Sequence, residues 1–135
     1  MIIGIGHDIS SIERMEKLLQ GEIGSKFMSR ILTGREQELA APMSGSRRVE
    51  FVSGRFAAKE AVSKAFGCGI GSTLGFQDIE IDRHSSGRPI CRLSEGAWSR
   101  LGLNGQQVQI HVSISHDHSL ASAYVIAEKA HGSAD

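Results

Sequence analysis

Residues 51–71, FVSGRFAAKEAVSKAFGCGIG, form the stretch around which the rest of the chain is organised. From about residue 47 to residue 66 most residues are good helix formers, and glycines at positions 67, 69 and 71 end the run. The alanines at positions 57, 58, 61 and 65 fall within an arc of about 100° around such a helix. The stretch therefore predicts a long helix with one flat face on which another backbone can lie close, followed by a glycine-rich loop.

Glu60 and Lys64 lie one helical turn apart, beside the alanine face. Taken alone, this i, i+4 spacing is most simply a surface ion pair worth a few tenths of a kcal/mol. A second carboxylate, Asp8, stands in the N-terminal segment GIGHDIS, after a short apolar run. Two carboxylates from separate elements can hold Mg²⁺ together with phosphates and water, so Asp8 and Glu60 are candidate metal ligands. The alternative for Asp8 is a turn residue or a charge at a helix N-terminus.

Hydrophobic periodicity along the chain predicts an α+β domain, with helices followed by antiparallel hairpins. A capping pattern at Ser10 and Glu13 predicts the start of the first helix, which places Asp8 at a strand-to-helix junction. Trp98 is the expected core anchor of a short late helix. The other predicted elements are a strand at 1–5, helices at 26–32 and 35–41, a polar connector at 43–48, a hairpin at 76–93, a helix at 94–101, and strands at 108–115 and 120–127.

Composition limits the class of partner. Fifteen Lys and Arg residues balance fifteen Asp and Glu residues, so no overall field favours nucleic acid or an anionic membrane. The apolar start, MIIGIG, is too short for a signal peptide and has no basic region before it. Cys68 and Cys91 have no metal-ligand spacing and are expected to be free thiols in a reducing compartment. We therefore predict a cytoplasmic protein that binds neither nucleic acid nor membrane.

Three motifs resemble those of the holo-acyl-carrier-protein synthase family, the small 4′-phosphopantetheinyl transferases. They are GIGHDI at 4–9, GRFAAKEAVSKAFGCGIG at 54–71 and HVSISHD at 111–117. They keep that family's order and approximate spacing, and the resemblance extends from residue 1 to about residue 128. It implies a single transferase domain over 1–128 and a flexible tail at 129–135. It also implies the family's fold, an antiparallel sheet packed against a long central helix, which assembles as a homotrimer.

The resemblance also implies an activity. It is the Mg²⁺-dependent transfer of 4′-phosphopantetheine from coenzyme A to a serine of apo-acyl carrier protein, in support of fatty acid biosynthesis. In that reaction Asp8 and Glu60 would hold the metal, and Lys64 would touch the departing phosphate of adenosine 3′,5′-bisphosphate. These three residues are the predicted catalytic residues. The base that takes the serine proton stays open between Glu60, a metal-bound water and a residue near His116.

The same resemblance implies a coenzyme site between protomers, formed by Lys64, Gly67, Gly69, Ile70 and His116. From the residues alone, the glycine loop is more simply a helix C-cap followed by a turn, and His116 is as readily an exposed turn histidine. Cys68 stands where the resemblance leads us to expect threonine.

A small basic face is predicted on the second helix, where Lys26 and Arg30 are four residues apart with Phe27 beside them. Arg14 of the first helix is also predicted to point outward. Such a pattern is usually a solvated helix face. The resemblance implies that these four residues receive the acidic recognition helix of acyl carrier protein, a partner to which their charges are suited.

Two further positions depart from an expected pattern. Larger, pseudodimeric members of the wider superfamily carry an acidic residue two positions after the aspartate, where this chain has Ser10. That difference favours the small, trimeric branch, with water as a third metal ligand. His7 stands where an apolar or small residue is expected, and it either tunes Asp8 or packs beside it. Two other functions stay open: a coenzyme A or nucleotide binding module without catalysis, and an oligomeric scaffold whose central helix only packs.

Overall fold

The computed structural model describes residues 1–130, and within that range the chain forms five strands and five α-helices. In chain order they are β1 (Ile2–Ser11), α1 (Ile12–Gln20), α2 (Gly24–Ile31), α3 (Gly34–Ala40), α4 (Gly45–Ala65), β2 (Ile79–Arg83), β3 (Pro89–Leu93), α5 (Glu95–Leu101), β4 (Val108–His116) and β5 (Leu120–Lys129). The predicted tail at 129–135 begins inside β5, because Lys129 is its last residue, and residues 131–135 lie outside the described part of the chain.

The predicted α+β fold, an antiparallel sheet packed on a long central helix, is confirmed. Strands β1, β5 and β4 form an antiparallel sheet in that order, and β2 and β3 form a separate hairpin. The helix α4 packs on one face of the three-stranded sheet and contacts all three of its strands. As a result, β1 and β4 are the two edges of the sheet and β5 is its centre.

The alanine face of α4 receives the backbone of β1, as the sequence predicts. A Cβ atom added to Gly4 would overlap the carbonyl oxygen of Ala65, and one added to Gly6 would overlap that of Ala61. In each pair a glycine of β1 faces an alanine of α4, which lets the strand and the helix approach more closely than larger side chains would allow. This close approach fixes the position of β1 along α4.

Two apolar cores lie on either side of α4. One joins α4 to the sheet and to the β2–β3 hairpin, and the other joins α4 to α1, α2 and α3. The expectation that Trp98 is the core anchor of α5 is wrong, because the fully buried residue of this helix is Ala97. Trp98 is half-buried and meets Phe66 edge-to-face, with ring centroids 5.8 Å apart.

Three predicted boundaries are wrong. Strand β1 continues to Ser11, because its pairing with β5 extends as far as Ser11 opposite Leu120. Asp8 therefore lies inside the strand rather than at a strand-to-helix junction. The cap of α1 is Ser11, not Ser10: its side chain accepts a hydrogen bond from the Arg14 backbone N–H. The predicted connector at 43–48 is instead the start of α4, which begins at Gly45.

A buried ion pair, which the sequence did not reveal, holds the helices around α4. Lys59 and Glu36 are both 0% exposed, with Lys59 Nζ 2.6 Å from Glu36 Oε1. The ammonium also donates to the carbonyl oxygens of Ile31 (2.6 Å) and Phe76 (3.0 Å). Burial lowers the pKa of Lys59, an effect that the Glu36 carboxylate opposes.

Glu36 also accepts hydrogen bonds from two backbone N–H groups. One belongs to Thr33, in the capping box of α3, and the other to Ile81 of β2. One buried pair thus connects α2, α3, α4 and β2, immediately before the candidate site residue Glu60. Because each charge has several partners, the pair is fully satisfied despite its burial.

Candidate active site

Lys64 joins the two elements that carry the predicted carboxylates. Its Nζ donates a hydrogen bond of 2.8 Å to Asp8 Oδ1 and one of 3.2 Å to the backbone carbonyl of His7. The lysine side chain is 51% exposed and that of Asp8 20% exposed, so the pair lies at an open surface. Within residues 1–130, the carboxylate that pairs with Lys64 is that of Asp8, and the surface pair between Glu60 and Lys64 that the spacing suggests does not form.

Glu60 lies close enough to Asp8 for the two charges to interact. Burial raises the pKa of the Glu60 carboxyl above its usual value, the nearby negative charge of Asp8 raises it further, and Lys64 partly offsets both. Its neighbour Ser63 donates to the Glu60 backbone carbonyl at 2.7 Å, which leaves the carboxylate itself free of that hydroxyl. The structure therefore brings together Asp8, Glu60 and Lys64, as the sequence predicts.

The pair of carboxylates suits a hard divalent cation. Across the described residues there is no group of three or more His, Cys, Asp or Glu side chains that could hold a metal by themselves. Two carboxylates are nevertheless what Mg²⁺ needs when substrate phosphates and water supply its other ligands. The unfavourable interaction between Asp8 and Glu60, seen in the raised pKa of Glu60, is of the kind that a cation between them relieves.

His7 packs beside the site and faces away from it. Its ring stacks on Tyr124 of β5, with centroids 4.1 Å apart and planes 11° apart, and its Nε2 lies 3.2 Å from the Ser122 hydroxyl. Successive side chains of a strand point to opposite faces, so His7 and Asp8 face different sides of the sheet. Of the two roles open for His7, the geometry favours packing.

The glycine-rich loop after α4 closes the helix. The N–H groups of Gly67 and Cys68 donate to the carbonyls of Lys64 (2.9 Å) and Ser63 (3.1 Å), and Gly69 donates more weakly to Ser63 at 3.4 Å. Gly67 and Gly69 have φ values of +74° and +66°, which explains the use of glycine. The amides of Gly67 and Gly69 are occupied in closing the helix, so these two glycines would have to contact coenzyme A through other atoms. Contacts of Gly67, Gly69 and Ile70 with coenzyme A stay a prediction.

His116 lies away from the carboxylates. It ends β4, one edge of the sheet, whereas Asp8 lies on β1, the other edge. Its Nδ1 is 3.6 Å from Glu50 Oε2. It lines a hollow of about 170 Å³ together with Arg47, Glu50, Phe51, Gly54, Arg55, Arg83 and Ile114, among others. Within one chain, therefore, His116 does not join Asp8, Glu60 and Lys64.

The arginines of this hollow were missed from the sequence. Arg47 and Arg83 are exposed, whereas Arg55 is 8% exposed, donates to the Ile81 carbonyl at 3.3 Å and lies over the Phe51 ring at 4.2 Å. Burial lowers the pKa of Arg55 to about 10. The only sequence signal was the basic run at 47–48, which was assigned to a connector, while Arg83 comes from the distant β2 strand.

Two of the four predicted partner residues line an apolar groove next to strand β1, which carries Asp8. Arg14 and Phe27 line a groove of about 320 Å³, together with Ile9, Ser10, Ser11, Met15, Leu18 and Phe56. Phe27 packs against Phe56, with ring centroids 6.0 Å apart. Lys26 and Arg30 are exposed on the same helix as Phe27. The groove includes Ser10, two residues beyond Asp8 on β1, so the basic, apolar surface runs up to the site.

Fold and site together can be compared with known proteins. The family model described as the 4′-phosphopantetheinyl transferase superfamily matches residues 4–128. This chain belongs to that superfamily.

The relatives define the group more narrowly. A holo-[acyl-carrier-protein] synthase of Bacillus cereus (strain G9842) is 46% identical over 128 residues, 95% of this chain and 97% of the relative. The structure of a holo-(acyl-carrier-protein) synthase from Bacillus anthracis str. Ames, in complex with CoA (3′,5′-ADP), has a TM-score of 0.81 and 45% identity, and the match covers 96% of this chain and 99% of that one. The Helicobacter pylori holo-[acyl-carrier-protein] synthase, in complex with coenzyme A, has a TM-score of 0.77 and 35% identity over 92% of this chain and 99% of that one. The family resemblance drawn from the motifs is thus confirmed.

None of the helices within residues 1–130 combines the length and the apolar character needed to cross a bilayer.

Proposed function

We propose that this protein is a holo-[acyl-carrier-protein] synthase that transfers 4′-phosphopantetheine from coenzyme A to a serine of apo-acyl carrier protein. The observation that carries the proposal is the meeting of Asp8 from β1 with Glu60 and Lys64 from α4, inside the region that matches the superfamily. The serine oxygen bonds to the phosphorus that bears pantetheine. The bond from that phosphorus to the bridging oxygen breaks, and adenosine 3′,5′-bisphosphate leaves with that oxygen.

In this proposal Asp8 and Glu60 are the residues that would hold Mg²⁺. When bound, the metal neutralises phosphate charge and so makes the phosphorus easier to attack. Lys64 contributes an ammonium on a half-exposed side chain, and its positive charge is suited to the negative charge that develops on the leaving oxygen. Glu60 lies beside Asp8 and Lys64, whereas His116 lies at the opposite edge of the sheet, so within one chain Glu60 is the better placed acceptor of the serine proton.

The active unit is proposed to be a homotrimer. The face of the sheet opposite α4 exposes many large apolar side chains, which is unusual for a surface left in water. On this face Ile5 pairs directly with Ile126, and His7 stacks on Tyr124. Its exposed apolar side chains are Ile3, Ile5, Ile9, Tyr124 and Ile126. Sedimentation of the wild type as a monomer at working concentration would contradict the proposal, and Tyr124→Glu is expected to give monomers.

Assembly into a homotrimer would give a role to the hollow that His116 lines. Because Asp8 and His116 lie on opposite edges of the sheet, the coenzyme is proposed to contact Asp8 of one protomer and His116 of a neighbouring protomer. The hollow offers Arg47, Arg83 and His116 to the anionic part of such a coenzyme, as guanidinium groups bind phosphate well. Acyl carrier protein would dock on Arg14, Lys26, Phe27 and Arg30. The free thiols Cys68 and Cys91 agree with a reducing, cytoplasmic location.

Intact-mass spectrometry tests the function directly. Apo-acyl carrier protein is incubated with this protein, coenzyme A and Mg²⁺. Parallel reactions use Glu60→Ala, a chelator, or the control variant Glu95→Ala, which changes an exposed carboxylate on α5. We expect a mass gain of one phosphopantetheine with the wild type and with Glu95→Ala, and none with Glu60→Ala or the chelator. Binding of coenzyme A without any mass gain would instead identify a binding module.

A further inference from the structure

The ammonium of Lys64 is held at the carboxylate by two acceptors from one strand. It lies 2.8 Å from Asp8 Oδ1 and 3.2 Å from the His7 carbonyl oxygen. Both acceptors come from adjacent residues of β1, which the glycine contacts hold tightly against α4. The lysine thus serves as the counter-ion of Asp8, in a position defined by the fold rather than by a flexible loop.

The proposed function gives each partner of this ion pair a different task. Asp8 is needed for the metal, and Lys64 is needed for the phosphate of the coenzyme. The ammonium lies 2.8 Å from Oδ1, so a metal bound to either oxygen of Asp8 would lie beside a positive charge. The metal is therefore bound more weakly while Lys64 keeps its contact with Asp8.

We propose that Lys64 competes with the divalent metal for Asp8 until coenzyme phosphate draws the lysine away, so that metal and coenzyme bind synergistically. This inference rests on the proposed function and adds to it a coupling between the binding of the metal and the binding of the coenzyme. Coenzyme phosphate removes the competitor at the same time as it supplies further oxygen ligands. Lys64 has the required freedom because its side chain is half-exposed and its two contacts are both to β1.

Mn²⁺ binding provides the test, with free Mn²⁺ measured by electron paramagnetic resonance on the full-length protein. Wild type, Lys64→Gln, Lys64→Arg and the control Lys17→Gln are each titrated without coenzyme and with saturating coenzyme A. Lys17 is exposed on α1 and pairs with Glu13, so its loss matches the change in net charge away from the site. Lys64→Arg keeps a cation that can pair with Asp8.

Without coenzyme, Lys64→Gln is expected to bind Mn²⁺ roughly fivefold more tightly than the wild type, because the loss of an exposed ion pair is worth up to about that factor. Lys64→Arg and Lys17→Gln should match the wild type. With coenzyme A, the advantage of Lys64→Gln should disappear. An equal gain in both conditions would indicate general charge repulsion and overturn the inference, as would no gain at all.

The inference can fail while the function stands. Metal-dependent transfer by the wild type, together with unchanged Mn²⁺ affinity in Lys64→Gln, would reject the competition alone. Absence of transfer and of Mn²⁺ binding under every condition would reject both.

Discussion

The α-carbon of Gly6 faces Ala61 so closely that a single added methyl group would overlap the Ala61 carbonyl oxygen. This contact lies next to the candidate active site on both elements. Asp8 is two residues beyond Gly6 on the same face of β1, and Glu60 immediately precedes Ala61 in α4. The distance between the carboxylates therefore depends on a packing contact between two small residues.

Gly6→Ala is expected to destabilise the protein by at least about 3 kcal/mol, because the clash is with backbone that cannot move aside without shifting the whole strand. The matched control is Gly34→Ala at the start of α3, where an added Cβ meets nothing within 4 Å. That change should be neutral or stabilising by up to about 1 kcal/mol, since alanine favours helix. Urea unfolding of both variants measures the difference, and similar effects at the two glycines would contradict this account of the site.

The buried pair of Lys59 and Glu36 gives a second prediction. Lys59→Met leaves Glu36 charged and buried without its partner, which costs about 3–5 kcal/mol in comparable cases. Lys17→Met breaks only the exposed pair with Glu13 and should change stability by less than about 1 kcal/mol. Chemical denaturation distinguishes the two. If the loss at position 59 were as small as at position 17, the pair would not be holding α2, α3 and β2 to α4.

The sequence predicted the parts of this molecule that depend on local pattern. The alanine face of α4, the short helix α5 and the strand β4 all came from spacings within a few residues. The extent of β1 could not be predicted from such spacings, because residues 6–11 are held in the strand by pairing with β5, more than 100 positions away. Long-range pairing of this kind leaves no local signal.

The site was predicted in the same uneven way. The structure brings Asp8, Glu60 and Lys64 together, but the spacing alone indicated that Lys64 would pair with Glu60, and it pairs with Asp8 instead. Lys59 stands in the same motif and gave no sign of its buried role, since its partner Glu36 lies in another helix. Arg83 was missed for the same reason: its hollow is formed by elements that are distant in sequence.

The raised pKa of Glu60 predicts a dependence of stability on pH. A carboxyl group with a higher pKa in the folded state than in the unfolded state is more easily protonated when folded, so its ionisation weakens the fold. The contribution of Glu60 is therefore most favourable below its ordinary pKa of 4.5 and is lost as pH rises through the raised folded value. Glu60→Gln, which cannot ionise, should be more stable than the wild type at pH 7.5, and this advantage should shrink towards pH 4.

Measurement of this effect requires metal-free conditions, because a bound cation would stabilise the ionised form. Unfolding in a chelating buffer at several pH values compares the wild type, Glu60→Gln and Glu16→Gln, the last a loss of one exposed carboxylate on α1. An advantage of Glu60→Gln that is the same at pH 4 and pH 7.5 would show that burial and Asp8 do not penalise the Glu60 charge.

The apolar groove next to β1, which Arg14 and Phe27 line, leads to a prediction about the protein substrate. Arg14 and Arg30 are exposed, and Phe27 lines the apolar part of the groove. Charge reversal at Arg14 should raise the KM for apo-acyl carrier protein about tenfold or more and leave kcat little changed, because it acts on encounter with an acidic partner rather than on phosphoryl transfer. The effect should weaken at high salt, where surface charges are screened. Phe27→Ala should also raise KM but without salt dependence, since it removes apolar contact area.

Arg92→Ala, which removes an exposed cation from β3, serves as the control and should leave the KM for the carrier as in the wild type. Equal effects of Arg14 and Arg92 would place the carrier elsewhere, whereas a loss of kcat at Arg14 would mean that this residue acts on the chemical step.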